Sequence, residues 1–188
     1  MAHTTNQTAT RPWTLPAIAT DVLIVLGVTT LMAAAAFLRA WLPFTPVPVT
    51  FQTLVVLLGG ALAGVRRGAA SQGLYLGLGA VGAPIFAGGA AGLAIIAGPT
   101  GGYLAGFMFA AILVGRLLGG RRASLLKAVL VMSLGDAVIL TCGATWLLAL
   151  GFPPANAFML GVVPFLLWDA VKVAVAATSY RLLVGRVQ

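Results

Sequence analysis

The sequence predicts an all-α integral membrane protein with six transmembrane helices and both termini in the cytoplasm. Three observations predict it: 61% of the 188 residues are hydrophobic, only 7% are charged, and the mean hydropathy is +1.07. A soluble domain carries about a quarter charged residues, so this chain cannot cover a water-facing surface. This composition excludes a cytosolic enzyme, a disordered chain and a nucleic-acid-binding module. At about 20 residues per spanning helix plus short connections, six spans fill the length.

Prolines, glycines and arginines divide the chain into its predicted elements. Residues 1–16 form a polar N-terminal tail, and residues 17–188 form a single six-helix transmembrane domain. Three prolines between Pro43 and Pro48 cannot continue a helix, so they end the first span. A long connection rich in Gly and Ala, residues 85–99, precedes the fourth span, and Pro164 predicts a kink in the sixth. The predicted spans are residues 17–42, 51–64, 68–81, 100–118, 125–150 and 157–183.

The positive charges set the predicted orientation. The chain has 11 Lys and Arg residues against 3 Asp and Glu residues, a net charge of +8. With six spans, nearly all the cations fall on one side, which the positive-inside rule makes cytoplasmic. On the other side the only nearby charge is Arg39. The cytoplasmic cations are Arg11, Arg66, Arg67, Arg116, Arg121, Arg122, Lys127, Arg181 and Arg186.

A cleaved signal peptide is the alternative interpretation of the N-terminus, because Ala33-Ala-Ala35 resembles a small-residue cleavage site. Cleavage would leave five helices and would disrupt the alternation of charged and uncharged connections between the spans. Only Arg11 supplies the basic region that such a signal needs. We therefore expect the first span to be retained.

Ionisable residues at membrane depth are costly, so they are candidates for function. Asp169 and Lys172 lie three residues apart in the sixth span and share one helix face. They form either an ion pair that locks helix packing or a ligand site, and we favour the site. Asp136, midway along the fifth span, is predicted to pair with Lys127 or Lys172 or to line the same cavity. Arg39 is expected to reach the outer interface.

Catalytic and metal-binding patterns are missing from the sequence. Cys142 is the single cysteine and His3 the single histidine, so neither a disulfide nor a histidine base is available. The chain contains no phosphate-binding G-x-x-x-x-G-K-[ST] loop and no serine-hydrolase or zinc-protease motif. We therefore predict that the protein is not an enzyme and holds no metal and no cofactor.

Aromatic residues form two groups. Tyr75, Phe86 and Tyr103 fall around the second outer connection, where they can converge on one loop. Trp13 and Trp41 occupy positions typical of interface anchors.

Five segments of the chain form a distinctive set of motifs. In chain order they are Pro46-Val-Pro-Val-Thr-Phe-Gln-Thr53, Gly73-Leu-Tyr-Leu-Gly-Leu-Gly79, Gly82-Ala-Pro-Ile-Phe-Ala87, Gly98-Pro-Thr-Gly-Gly-Tyr103 and Pro164-Phe-Leu-Leu-Trp-Asp-Ala-Val-Lys172. Together they resemble the BioY family, the substrate-binding S components of energy-coupling factor biotin transporters. The resemblance covers most of the chain, from about Leu31 to the C-terminus, and the fourth and fifth segments are the most specific.

The resemblance implies a high-affinity biotin site that faces outward and has Asp169 and Lys172 as ligand contacts. It further implies that the pocket is completed by Thr50, Gln52, Tyr75, Phe86, Gly88, Thr100, Gly101 and Tyr103. Two positions depart from relatives: Trp168 replaces a frequent Gly, and Gly88-Gly89 stands where some relatives have Asn.

The implied partners are biotin as transported ligand, the lipid bilayer of the cell membrane, a coupling protein and ATPase subunits. Small residues of the first span, Ala33, Ala36 and Ala40, are expected to dock the coupling protein. No nucleic-acid partner is expected, and homo-oligomerisation is left open. Two rival functions remain: a self-sufficient channel or facilitator for a small solute, and a purely structural membrane scaffold.

Overall fold

The computed structural model describes residues 15–186, which are mostly helical. Predictions about the tail, including Arg11 and Trp13, therefore lie outside the described residues. The helices are α1 (Leu15–Phe37), α2 (Gln52–Ala80), α3 (Leu93–Ala97), α4 (Gly101–Leu117), α5 (Leu125–Ala149), α6 (Pro154–Gly161) and α7 (Val163–Arg186). Four of the described segments are long and apolar enough to span a membrane: Ala17–Phe37, Gln52–Ala80, Leu125–Ala149 and Pro154–Gly185.

Helix α2 folds back on itself at Gly64 and crosses the membrane twice. Gly64 has φ 77° and ψ −179°, a backbone conformation that interrupts the helix and that glycine adopts readily. A Cβ on Gly68 would lie 3.4 Å from the Cα of Gly60, although eight residues of straight helix span about 12 Å. Gly115 of α4 packs against this turn without a side chain, so α4 approaches α2 closely here. With α2 counted as two passes, the described chain makes six.

Successive passes run in opposite directions, and the cations collect at one end. Arg67, just after the Gly64 turn, forms an ion pair with Asp21 near the start of α1 at 2.5 Å. Asp21 is therefore paired, and its side chain is still 36% exposed. Arg116, the α4–α5 connection and Arg181 lie at the same end, which the positive-inside rule assigns to the cytoplasm.

The first span is shorter than predicted. It ends at Phe37, and the following Arg39–Ala40 strand, β1, pairs antiparallel with the Val49–Thr50 strand, β2. The predicted extension to residue 42 is wrong because residues 38–40 give their backbone hydrogen bonds to this hairpin; Phe51 N, for example, donates to Leu38 O. Hydropathy could not distinguish this hairpin from a continuation of α1, since the hairpin is as apolar as a helix end.

The last span is interrupted where Pro164 predicts a kink, and it consists of two helices. Helix α6 ends at Gly161 and α7 begins at Val163, so the break lies just before Pro164. Proline has no N–H to donate and its ring excludes the carbonyl four residues earlier, which interrupts the helix at this point. The predicted start at residue 157 also lies within α6, which begins at Pro154. The glycine-rich connection 85–99 contains the short helix α3 and a backbone bridge between Phe86 and Ala90.

The interior is divided into an outer and an inner hydrophobic cluster. Met32, Tyr75, Phe86, Tyr103 and Ile139 belong to the outer cluster. The inner cluster joins the cytoplasmic halves of α2, α4, α5 and α7, and includes Leu57, Leu118, Met132, Ala176 and Tyr180. The outer cluster surrounds the cavity described next.

Candidate ligand-binding site

A cavity of about 300 Å³ lies in the outer half of the helix bundle, beneath the β1–β2 hairpin and the 85–99 connection. Its volume is at the lower end of the range for small-ligand sites. Its walls are mainly apolar and carry a few polar groups. It is lined by Trp41, Pro46, Val47, Pro48, Thr50, Gln52, Thr53, Phe86, Ala87, Ala90, Ala94, Ile95, Gly98, Pro99, Thr100, Tyr103, Leu104, Phe107, Ile139, Leu140, Phe165, Asp169 and Lys172.

The charged pair of α7 forms part of the cavity wall. Lys172 Nζ donates a hydrogen bond of 2.7 Å to Asp169 Oδ1. Asp169 is 1% exposed and Lys172 5% exposed, so both charges are almost completely removed from solvent. A buried pair of this kind is not by itself a strong source of stability, because desolvation offsets the Coulomb attraction. Its position in the cavity wall suits ligand binding.

Asp136 lies close to this pair without lining the cavity. It is within electrostatic range of both Asp169 and Lys172. Its Oδ1 is buried and has no hydrogen-bond partner. The sequence left three places open for Asp136, and the structure puts it near Lys172, behind the cavity wall. Asp136, Asp169 and Lys172 together contain two acidic groups and one basic group.

A polar network fixes the Gln52 side chain at the start of α2. Thr50 Oγ1 donates to Gln52 Oε1 at 3.2 Å, and Gln52 Nε2 donates to Tyr75 Oη at 2.7 Å. Tyr75 Oη in turn donates to Ile85 O at 3.0 Å. Gln52 and Tyr75 can meet only because α2 reverses at Gly64; in a straight helix they would be about 34 Å apart.

Two aromatic rings are held in place from behind by glycines. Phe86 packs edge-on against Tyr75, with ring centroids 5.5 Å apart, and occupies the space where a Cβ on Gly79 would lie. Tyr103 rests on Gly143 and donates from Oη to Gly161 O at 2.6 Å. These rings therefore present fixed apolar surfaces to the cavity.

Arg39 is exposed and lies beside Trp41, one of the residues that line the cavity. Its guanidinium lies 5.4 Å from the Trp41 ring centroid, within cation–π range. The same guanidinium occupies the position that a side chain on Gly88 would fill. Gly88, with φ 82°, thus allows the 85–99 connection to approach β1 closely.

Seven of the ten residues predicted for the site line the cavity: Thr50, Gln52, Phe86, Thr100, Tyr103, Asp169 and Lys172. Three do not. Tyr75 lies behind Gln52 and positions it, and Gly88 faces Arg39. Gly101 faces Ile96 O and Trp146 at the start of α4. Sequence reasoning missed most of the apolar wall, notably Val47, Leu104, Phe107, Ile139 and Leu140.

The three alanines predicted to dock a partner do not form one surface. Ala36 is 0% exposed because it packs inside the bundle, and Ala33 is half-buried. Ala40 is exposed but lies in β1, beyond the end of α1. The prediction of a common Ala33, Ala36 and Ala40 face is therefore corrected.

The fold and the cavity define a multi-pass membrane protein with a small-ligand site in its outer half. The BioY family model matches residues 4–188, and the chain belongs to this family.

Relatives and a solved structure agree with this assignment. The biotin transporter BioY of Rhizobium etli is 37% identical over 172 residues, 83% of this chain and 90% of the relative. The biotin transporter BioY of Thermotoga maritima is 34% identical over 149 residues, 78% and 88% of the two chains. A crystal structure described as the S-component for biotin from an ECF-type ABC transporter superposes with a TM-score of 0.84 and 25% identity. That match covers 92% of this chain and 95% of the other.

Proposed function

We propose that this chain is the biotin-binding membrane subunit of an energy-coupling factor vitamin transporter, which captures biotin from the outer side. One observation carries the proposal: a buried Asp169–Lys172 pair in the wall of a mainly apolar cavity, in a chain of the BioY family. The class is that of a transporter component rather than an enzyme.

The cavity chemistry matches the chemistry of biotin. Biotin has a carboxylate, a ureido group with two N–H donors and one acceptor, and an apolar bicycle with an aliphatic chain. Lys172 can bind the carboxylate and Asp169 can accept ureido N–H groups, while Thr50 and Gln52 offer further polar contacts. Leu104 and its apolar neighbours suit the bicycle, as expected for a site with few placed polar groups.

Active uptake needs partners in this proposal. The sequence has no phosphate-binding loop, so ATP hydrolysis must come from separate ATPase subunits joined through a membrane coupling protein. We place the docking surface on the lipid-facing side of α1. Of the four long apolar segments, α1 is the least buried. Only 11% of its most apolar stretch is buried inside the bundle, against 28–39% for the other three segments.

Equilibrium binding of biotin to the purified chain tests the proposal. Leu104→Trp fills the cavity, since Leu104 lines it and is 5% exposed, whereas Leu130→Trp adds the same bulk at a site 61% exposed. We expect saturable binding to the wild type and to Leu130→Trp, and loss of binding by Leu104→Trp with its helical content unchanged. Equal biotin affinities in the two variants would contradict the proposed location.

A further inference from the structure

A second cavity, of about 450 Å³, lies at the cytoplasmic end of the bundle, far from the candidate biotin site. It is formed by the α4–α5 connection and the end of α7, and its lining residues are Arg122, Ala123, Ser124, Tyr180, Arg181, Val184 and Gly185. Two guanidinium groups from separate elements therefore border one concave space. Nothing in biotin capture on the outer side uses them.

A buried tyrosine holds the two walls of this cavity together. Tyr180 of α7 is 0% exposed, and its Oη lies within hydrogen-bond distance of Leu118 O and Arg121 O in the α4–α5 connection. This ties the connection that carries Arg122 to the helix that carries Arg181. The first turn of α5 is already capped by Ser124, whose Oγ accepts from Lys127 N at 3.2 Å. The groups that can bind a ligand here are therefore the two guanidinium groups rather than the N-terminus of α5.

No side-chain carboxylate neutralises the two arginines. The chain has three acidic residues in all. Asp21 is paired with Arg67, and Asp136 and Asp169 belong to the cluster around Lys172. Among the described residues, Arg122 and Arg181 form no ion pair. An anion with a planar or tetrahedral oxygen array is the natural partner of a guanidinium pair.

The surroundings favour a lipid phosphate over a soluble one. Leu125 and Leu126 begin α5 beside the cavity and are 43% and 69% exposed, and Leu182 and Leu183 follow Arg181 with 58% and 46% exposure. A polar recess flanked by exposed leucines, at the cytoplasmic ends of spanning helices, suits a headgroup whose acyl chains run along those leucines. Basic pockets between spanning helices on the cytoplasmic side commonly bind anionic headgroups.

We propose that the Arg122–Arg181 cavity binds the phosphodiester headgroup of an anionic phospholipid of the cytoplasmic leaflet. The bound lipid tethers the α4–α5 connection to the end of α7. This site is independent of the biotin site, which lies in the outer half of the bundle.

Native mass spectrometry of the purified chain in micelles containing phosphatidylglycerol or phosphatidylcholine tests the proposal. We expect the wild type to retain one phosphatidylglycerol and no phosphatidylcholine. Arg122→Gln/Arg181→Gln should weaken this retention about 30-fold, at ~1 kcal/mol for each arginine. Arg66→Gln/Arg116→Gln is the matched control, because it removes two exposed cytoplasmic charges outside the cavity and should retain the lipid.

Gly185→Asp gives a second, independent variant. A Cβ there meets nothing within 4 Å, so the substitution adds a carboxylate to the cavity without a steric clash and should also expel the lipid. Biotin affinity, which reports correct folding, should be unchanged in every variant.

Three results would overturn the proposal. Equal loss of phosphatidylglycerol retention in Arg122→Gln/Arg181→Gln and Arg66→Gln/Arg116→Gln would indicate a diffuse basic surface. Displacement of the lipid by glycerol 3-phosphate at equal concentration would make a soluble phosphate the ligand. The third result has two parts: the wild type retains no lipid, and Arg122→Gln/Arg181→Gln loses binding to the coupling protein whether or not lipid is present. That result would assign the arginines to a protein contact.

Discussion

At the scale of single residues, Lys172 is the most informative position. Its ammonium group is the only cation among the residues lining the outer cavity, and it is bound to Asp169. We predict that Lys172→Ala weakens biotin binding by about 2–5 kcal/mol, the usual effect of removing a charge from a desolvated site. Isothermal titration calorimetry measures this loss directly.

The control for this prediction must account for the ion pair. Lys172→Ala leaves Asp169 buried and unpaired, which also lowers folding stability. The double variant Asp169→Asn/Lys172→Met removes both charges at similar volume, so it should keep the fold while losing biotin binding. Esterifying the biotin carboxylate should weaken wild-type binding but change little in Lys172→Ala. Unchanged affinity for biotin in either variant would refute the assignment of Lys172.

Removing the charge of Asp136 is predicted to have the opposite effect on biotin binding. Two acidic groups around one lysine give the cluster an excess negative charge when all three are ionised, which opposes an anionic ligand. At a pH where Asp136 is ionised, Asp136→Asn should therefore tighten biotin binding relative to biotin methyl ester. We expect about tenfold, the effect of one unit charge at roughly 10 Å with an effective dielectric constant of ~20. An unchanged ratio of the two dissociation constants would show that Asp136 does not act on the ligand.

At the scale of elements, the α4–α5 contact depends on glycine. A Cβ on Gly102 would lie 2.2 Å from Trp146 Cβ and 2.4 Å from Cys142 O, and backbone cannot easily move away. Gly102→Ala should destabilise the protein by about 1–3 kcal/mol through overpacking. Gly77→Ala is the matched control, since its Cβ meets nothing within 4 Å and the change favours the helix. A thermal shift assay in detergent compares the two, and equal melting temperatures would contradict the prediction.

The exposed side of α1 gives a second prediction at this scale. Ala34 is exposed on α1, two residues before the fully buried Ala36. Ala34→Trp should leave biotin binding intact and reduce ATP-driven uptake, because it adds bulk to the proposed docking surface. Ala36→Trp should instead impair folding and binding together. Uptake that survives Ala34→Trp in the reconstituted complex would place the docking surface elsewhere.

Hydropathy and charge predicted the elements better than their ends. The arginines at residues 66, 67, 121 and 122 marked the cytoplasmic turns, and the prolines marked the outer breaks. The hairpin after Phe37 was missed, because an apolar strand has the same composition as the end of an apolar helix. It depends on backbone pairing between β1 and β2, whereas the break beside Pro164 was predicted from the proline itself.

Prediction of the site is limited because residues of the same chemistry can face either the cavity or the lipid. Asp169 and Lys172 could be selected from sequence because ionisable groups at membrane depth are rare and costly, whereas Gln52 was selected from the family resemblance. Leu104, Ile139 and Leu140 could not, since cavity-lining and lipid-facing leucines are chemically identical and only packing distinguishes them. Tyr75 was predicted to contact the ligand but lies behind Gln52, an arrangement that depends on the reversal of α2 at Gly64.

At the scale of the whole molecule, the proposed function separates binding from pumping. The ligand site lies in the outer half, and the sequence has no phosphate-binding loop for ATP. A ligand redistributes existing conformations only by its differential affinity for them, so concentrating biotin inside requires another source of free energy. The chain alone should therefore bind biotin tightly at equilibrium and accumulate none.

Biotin uptake by proteoliposomes tests this central claim most directly. Vesicles containing only this chain should bind biotin saturably without raising its internal concentration above the external one. Adding the coupling protein and ATPase subunits should make accumulation depend on ATP hydrolysis. Rapid, non-saturating biotin flux through the chain alone, or uphill accumulation without any ATPase, would contradict the account and indicate a channel or an ion-coupled transporter.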